Sequence, residues 1–287
     1  MRDAVDHRIA VAHGHTLHVR ERRGDGLPVV CLPGLARTLD DFEPLAAHLA
    51  SPEGGARRVI SISSRGRGLS DRDSDPSRYQ VKQESEDALA VLDALGVNRA
   101  AFVGTSRGGL VTMMIAALKR EMVAAAVLND IGPEIELDGL IRIQSMLNSS
   151  ALPDTFEQGA KWIRMANGDR FPALGADDWM RWARRAWRET DGRLEPACDP
   201  ALSETLKGLD LTKPVPSAWP LFDALKGARL MIVRGELSDL FSEAQLGRMV
   251  ERRPDAVVWR VAGQGHAPLL DDAPTMGAIA SFLAAKG

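Results

Sequence analysis

Apolar residues along this chain fall into two alternating rhythms. In the first 130 residues, short runs rich in Val, Ile and Ala alternate with longer stretches whose apolar positions recur every three or four residues. "HRIAVAHGHTLHVRERRG" predicts two strands turning at Gly14, and "LPVVCLPG" predicts a buried strand. "TLDDFEPLAAHLA" predicts a helix, "RRVISIS" a strand, and "QVKQESEDALAVLDALG" a helix that stops at Gly96. The strand "RAAFVG", the helix "SRGGLVTMMIAALKR" and the strand "AAAVLND" follow. The rhythm breaks after "NDIGPE" and returns in "LFDALKGARLMIVRG", a helix then a strand. A helix "SEAQLGRMVERR", a strand "AVVWRV" and a helix "TMGAIASFLAAK" complete the pattern. Strands alternating with helices imply an α/β chain whose mainly parallel sheet, eight strands by this reading, is covered on both faces.

The break divides the chain into a core, residues 1–132 and 223–287, and an insertion of residues 133–222 after the sixth strand. The insertion holds five of the six tryptophans, has a proline-rich end "LTKPVPSAWP", and reads as mainly helical. Helical spacing in "DDWMRWARRAWRE" puts Trp179, Trp182, Ala183 and Ala186 on one face, with Arg181, Arg184, Arg185 and Arg188 opposite. Such an arginine face is either solvated or a clamp for a substrate carboxylate, which a guanidinium fork fits bidentately.

Charge and cysteine content narrow the class. A net charge of -3 supplies no basic field for nucleic acid or an anionic membrane. Cys31 and Cys198 are too few for a disulfide framework, and no stretch has the length of a signal peptide core or a membrane span. The expectation is a cytoplasmic protein with a small-molecule substrate and neither a nucleic-acid nor a membrane partner; a homodimer is possible. His13, His15 and His18 have no acidic cluster beside them in sequence, so no metal site is expected.

The chemistry centres on "VGTSRGG", where Ser106 stands between Gly104 and Gly108 directly after a predicted strand and before a predicted helix. An accidental Gly-x-Ser-x-Gly arises in about one chain in seven of this composition, so the strand-serine-helix context carries the signal. At such a junction the hydroxyl projects above the carboxyl edge of the sheet, where ligands bind in open α/β folds. A serine needs a base, and five of the six histidines lie within the first 48 residues. His266, in "VAGQGHAPLL", is the histidine downstream of the serine and the candidate base. Glu236 and Asp239 in "LMIVRGELSDLF", and Asp130 in "LNDIGPE", are candidates for the carboxylate that orients it.

Taken in order, "LPGLART", "SSRGRGLSD", "GTSRGG", "RGELSD" and "GQGHAP" resemble the oxyanion loop, the Arg-Gly-x-Gly-x-Ser stretch, the nucleophile elbow, the acid turn and the histidine loop of α/β-hydrolase-fold proteins with a serine nucleophile and a lid. The resemblance covers about residues 7–132 and 223–287. It departs from the common pattern at Pro33-Gly34, where His-Gly is usual, and at Ser64, where aspartate is frequent. It implies an α/β-hydrolase fold with residues 133–222 as a helical lid, Ser106 as nucleophile, His266 as base and Asp239 as the favoured acid. Glu236 and Asp130 remain alternatives, and the backbone amides of Leu35 and Arg107 would form the oxyanion hole. It further implies a cofactor-independent serine hydrolase acting on a small to medium, largely apolar ester. A carbon-carbon hydrolase or enol-lactonase of aromatic degradation, and a receptor-like ligand-binding protein with low turnover, are the rival functions.

Overall fold

The computed structural model describes residues 4–149, 151–207, 213 and 215–285. Parts of two predicted stretches, Leu211, Thr212 and Pro214 of "LTKPVPSAWP" and Lys286 of the predicted helix "TMGAIASFLAAK", lie outside them. The chain opens with a hairpin, β1 (Ala4–Ala10) and β2 (Thr16–Arg22), followed by β3 (Asp25–Leu32). Helices then alternate with strands: α1 (Glu43–Ala50), β4 (Arg57–Ile62), α2 (Val81–Ala94), β5 (Ala100–Thr105), α3 (Arg107–Leu118) and β6 (Val123–Asn129). The inserted segment carries α4 (Leu137–Leu147), α5 (Phe156–Asn167), α6 (Ala176–Ala186) and a hairpin of β7 (Trp187–Thr190) and β8 (Arg193–Pro196). The chain rejoins the sheet through α7 (Trp219–Ala224), β9 (Arg229–Gly235), α8 (Glu243–Arg252), β10 (Val257–Val261) and α9 (Ala273–Ala284).

Among the described residues, eight strands form one sheet in the order β1-β2-β4-β3-β5-β6-β9-β10. All pairings from β4 to β10 are parallel, while β1 with β2 and β2 with β4 are antiparallel. Alternate residues of each central strand feed opposite faces. Val30 and Leu32 join the apolar layer beneath α2, α3, α7 and α8, whereas Val29 and Cys31 join the layer beneath α1 and α9. Burial on both sides explains why these strands read as continuous apolar runs. It also pushes the Cys31 thiol up to about 12, which leaves it protonated and inert. Neither cysteine forms a disulfide, and no described helix is long and apolar enough to cross a membrane.

The insertion departs from its helical reading at one place. α6 ends at Ala186, and the chain turns back as the β7–β8 hairpin, with Trp187 opposite Pro196 and Thr190 opposite Arg193. Asp191 and Gly192 at the tip both take positive φ, 50° and 74°, the geometry that favours Asp-Gly in two-residue hairpins. The insertion has a small apolar core of its own, in which Ala160, Ile163, Phe171, Trp179 and Ala183 pack together and Leu269 of the histidine loop packs against them.

Candidate active site

Four chain segments meet at the carboxyl edge of β3, β5 and β6. Ser106 follows β5 with φ 50° and ψ −116°, a conformation that costs a residue with a Cβ on the order of 1–3 kcal/mol. The flanking glycines are sterically required. A Cβ on Gly104 would lie 2.4 Å from the carbonyl oxygen of Gly108, and one on Gly108 would lie 1.9 Å from that of Leu32. The turn is so tight that β3, β5 and the start of α3 touch through backbone alone.

His266 Nε2 lies 2.9 Å from Ser106 Oγ, and His266 Nδ1 lies 2.8 Å from Asp130 Oδ2. The imidazole is 6% exposed and the Asp130 carboxyl fully buried. With the Nδ1 proton donated to Asp130, Nε2 is free to accept from the serine hydroxyl. The histidine loop is fixed from below, because Asn129 Nδ2 donates to the carbonyl of Pro268 at 2.9 Å and to Thr105 Oγ1 at 3.0 Å.

The carboxylate facing His266 is therefore Asp130, not Asp239. Asp130 stands at the end of β6, between the strand that ends at the serine and β9, so its side chain needs no long turn to reach the imidazole. The end of β9 and the turn after it supply donors to it: Gly235 N–H at 2.8 Å and the Ser238 hydroxyl at 2.6 Å. Asp239 faces the insertion, accepting from Arg142 at 2.6 and 2.8 Å and from Arg170 at 3.0 Å. Burial would raise its pKa, but the hydrogen bonds and charge of Arg142, with the charge of Arg170, outweigh burial and hold the carboxyl below its usual range. Glu236 is exposed and accepts from the amide of Gly263 at 2.9 Å. It braces the histidine loop without touching the imidazole.

Leu35 lines the cavity with Ser106, while Arg107 opens α3, where a first-turn amide has no partner within its own helix. Their supports converge on one buried acid. Arg67 donates through Nε to the carbonyl of Leu35 at 2.7 Å and lies 2.8 Å from Glu84 Oε1. The Arg107 side chain turns away from the serine and donates to Glu84 Oε2 at 2.9 Å and to the Tyr79 carbonyl at 2.7 Å. Burial opposes ionisation of Glu84, yet the charges of Arg107 and Arg67 together with their hydrogen bonds hold its pKa below the usual value. The "SSRGRGLSD" stretch is thus a buried ionic frame, in which Arg65 also pairs with Asp73 and with Asp87 at 2.7 Å. Ser64 takes no part in those ion pairs. The insertion clasps this frame, with the amide of Gly68 on the carbonyl of Ala197 and the amide of Asp199 on that of Gly66, each at 2.7 Å.

A cavity of about 160 Å³ opens above Ser106 and His266. Pro33, Leu35, Phe42, Leu269 and Leu270 from the core and Ile143, Leu147 and Trp182 from the insertion make it mainly apolar. Of the arginine face of α6, Arg181 pairs with Asp178 and Arg184 lies 4.8 Å over the ring of Phe156, whereas Arg185 lines the cavity. Arg142, which the sequence did not single out, lines it too.

A strained serine above a parallel sheet, bonded to a histidine and a buried aspartate, defines the class. The family model for the α/β hydrolase fold matches residues 28–273; the chain belongs to that family and is a hydrolase. It is 30% identical over 272 residues to a 3-hydroxybutyrate-oligomer hydrolase of Cupriavidus necator, covering 88% of this chain and 86% of that protein. It is also 30% identical over 261 residues to a 2-(acetamidomethylene)succinate hydrolase of Mesorhizobium japonicum, covering 88% and 85%. The crystal structure of an α/β hydrolase from Novosphingobium aromaticivorans superposes with a TM-score of 0.90 at 37% identity, covering 99% of each chain.

Proposed function

We propose that the protein is a serine hydrolase that cleaves a small carboxylic ester through an acyl-enzyme, with Ser106, His266 and Asp130 as its triad. The observation that carries this reading is the unbroken hydrogen-bonded line from Ser106 Oγ through His266 to Asp130, 2.9 and 2.8 Å, at the floor of a mainly apolar cavity. Ser106 Oγ attacks the carbonyl carbon while His266 Nε2 takes its proton; Asp130 holds the imidazole tautomer and stabilises the cation that forms. The amides of Leu35 and Arg107 receive the oxyanion, each contributing roughly 3–4 kcal/mol. His266 returns the proton to the leaving alcohol and then activates the water that frees the acid. The inserted helices serve as the lid. A cavity of about 160 Å³ is smaller than the roughly 300 Å³ at which drug-sized ligand sites begin, which favours a short acyl chain.

Intact-mass labelling with a small fluorophosphonate tests the reading. Wild type should gain one adduct, absent from Ser106→Ala and slowed at least a hundredfold in His266→Ala. A folded wild type that takes no adduct, or an adduct that persists in Ser106→Ala, removes the serine mechanism.

A further inference from the structure

Among the described residues, most charged side chains around the cavity are paired. Arg37 is neutralised by Asp41 through contacts of 2.5 and 2.8 Å and stacks 5.1 Å over Trp182. Asp130 is bonded to His266. Arg142 shares Asp239 with Arg170, so two guanidiniums meet one carboxylate and this group retains one positive charge. Arg185 lines the same cavity, half-buried, and makes no hydrogen bond or ion pair among the described residues. Asp271 feels the charge of Arg185 without pairing to it. Burial holds the Asp271 carboxyl above its usual range, with Arg185 and then Arg181 pulling the other way, which is the behaviour of an acid without a dedicated cation.

A guanidinium taken partly out of water without a partner costs free energy, and arginine is rarely buried unpaired. Arg181 and Arg184 on the same helix do find protein partners, an aspartate and an aromatic face. We infer that Arg185 is a subsite for a carboxylate carried by the substrate, with the surplus charge of the Arg142–Asp239–Arg170 group, whose Arg142 lines the same cavity, reinforcing it. This rests on Ser106 as nucleophile and extends it: the substrate is a short ester whose acyl part bears a free carboxylate a few bonds from the scissile carbonyl. The planar fork of Arg185 binds that carboxylate bidentately and sets which carbonyl lies over Ser106.

The probes are monoethyl succinate, glutarate and adipate, each compared with a neutral ester of the same shape; for monoethyl glutarate this is ethyl 5-methylhexanoate. Ethanol release gives kcat/KM for each. Wild type should favour at least one monoanion over its neutral counterpart by tenfold or more, chiefly through KM. In Arg185→Met that ratio should fall toward one, Arg185→Lys should restore part of it, and Arg184→Met, on the exposed side of α6, should keep the wild-type ratio. No preference in wild type, or a preference that survives Arg185→Met, overturns the subsite. Calorimetric titration with free succinate, glutarate and adipate separates this inference from the serine mechanism. Binding by wild type that weakens tenfold or more in Arg185→Met supports the subsite even if no ester is hydrolysed, and in that case only the serine mechanism falls. Equal binding by both proteins, or none by either, removes the subsite whatever the esters show.

Discussion

Asp130→Asn should lower kcat for a hydrolysed ester by about 10³–10⁴-fold with little change in fold or KM, the scale expected when the acid of a serine-histidine-acid arrangement becomes an amide. The amide can present its NH₂ group to Nδ1 and so favour the wrong imidazole tautomer, and it no longer stabilises the cation formed as Ser106 loses its proton. Asp239→Asn provides the contrast. Asp239 touches Arg142 and Arg170 rather than His266. Its loss loosens the insertion over the cavity, so KM should rise while kcat stays within about tenfold of wild type. Steady-state kinetics of both variants on one ester decide the matter. A collapse of kcat in Asp239→Asn with near-normal turnover in Asp130→Asn would transfer the acid role to the turn after β9.

The resemblance favours Asp239 because it lies deep in the turn after β9, but the sequence contains no sign that two arginines far upstream, Arg142 and Arg170, fold back to neutralise it. Asp130, by contrast, carried a local signal. It directly follows the run "AAAVLN" at the carboxyl end of β6, and in the structure its φ of 56° gives a sharp exit from the sheet of the kind Ser106 makes one strand away. Once β6 is placed between β5 and β9, Asp130 is on the path to His266 and Asp239 lies beyond it. That neighbour relation is a property of sheet order, which spacing along the chain does not encode.

The strands, the core helices and the serine-histidine pair were legible because each rests on a local rule: buried parallel strands read as apolar runs, and the turn at Ser106 demands glycine on both sides. The β7–β8 hairpin was legible in principle through Asp191-Gly192, but the helical stripe of Trp179, Trp182 and Ala183 runs directly into it and masks the boundary at Ala186. The separation of Arg185 from Arg181 and Arg184 was not legible at all. All three share one side of a helical wheel, and only the docking of α6 decides which of them reaches the cavity.

Glu84→Gln should destabilise the protein by about 3–5 kcal/mol, the cost of removing one member of a buried ionic group and stranding its partners. Glu84 is 3% exposed and is the carboxylate shared by Arg67 and Arg107, whose side chains are 1% and 14% exposed. A glutamine can hydrogen-bond to one of them but neutralises neither. In a chain of this size the loss corresponds to a fall in Tm of roughly 5–8 °C, measurable by calorimetry. The pH dependence identifies the cause. Because the folded-state pKa of Glu84 lies below its ordinary 4.5, its contribution is fully present above that value and is lost as pH falls toward the folded pKa. Wild type should therefore lose Tm steeply in that window, and Glu84→Gln, having no proton to take up there, should show a shallower acid limb. Parallel acid limbs would mean that Glu84 enters the folded state without its charge. The same variant should also lower kcat at temperatures where it is fully folded, since Arg67 holds the Leu35 carbonyl and Arg107 begins α3. One buried carboxylate thereby ties the stability of the frame to the placement of the two amides proposed to receive the oxyanion.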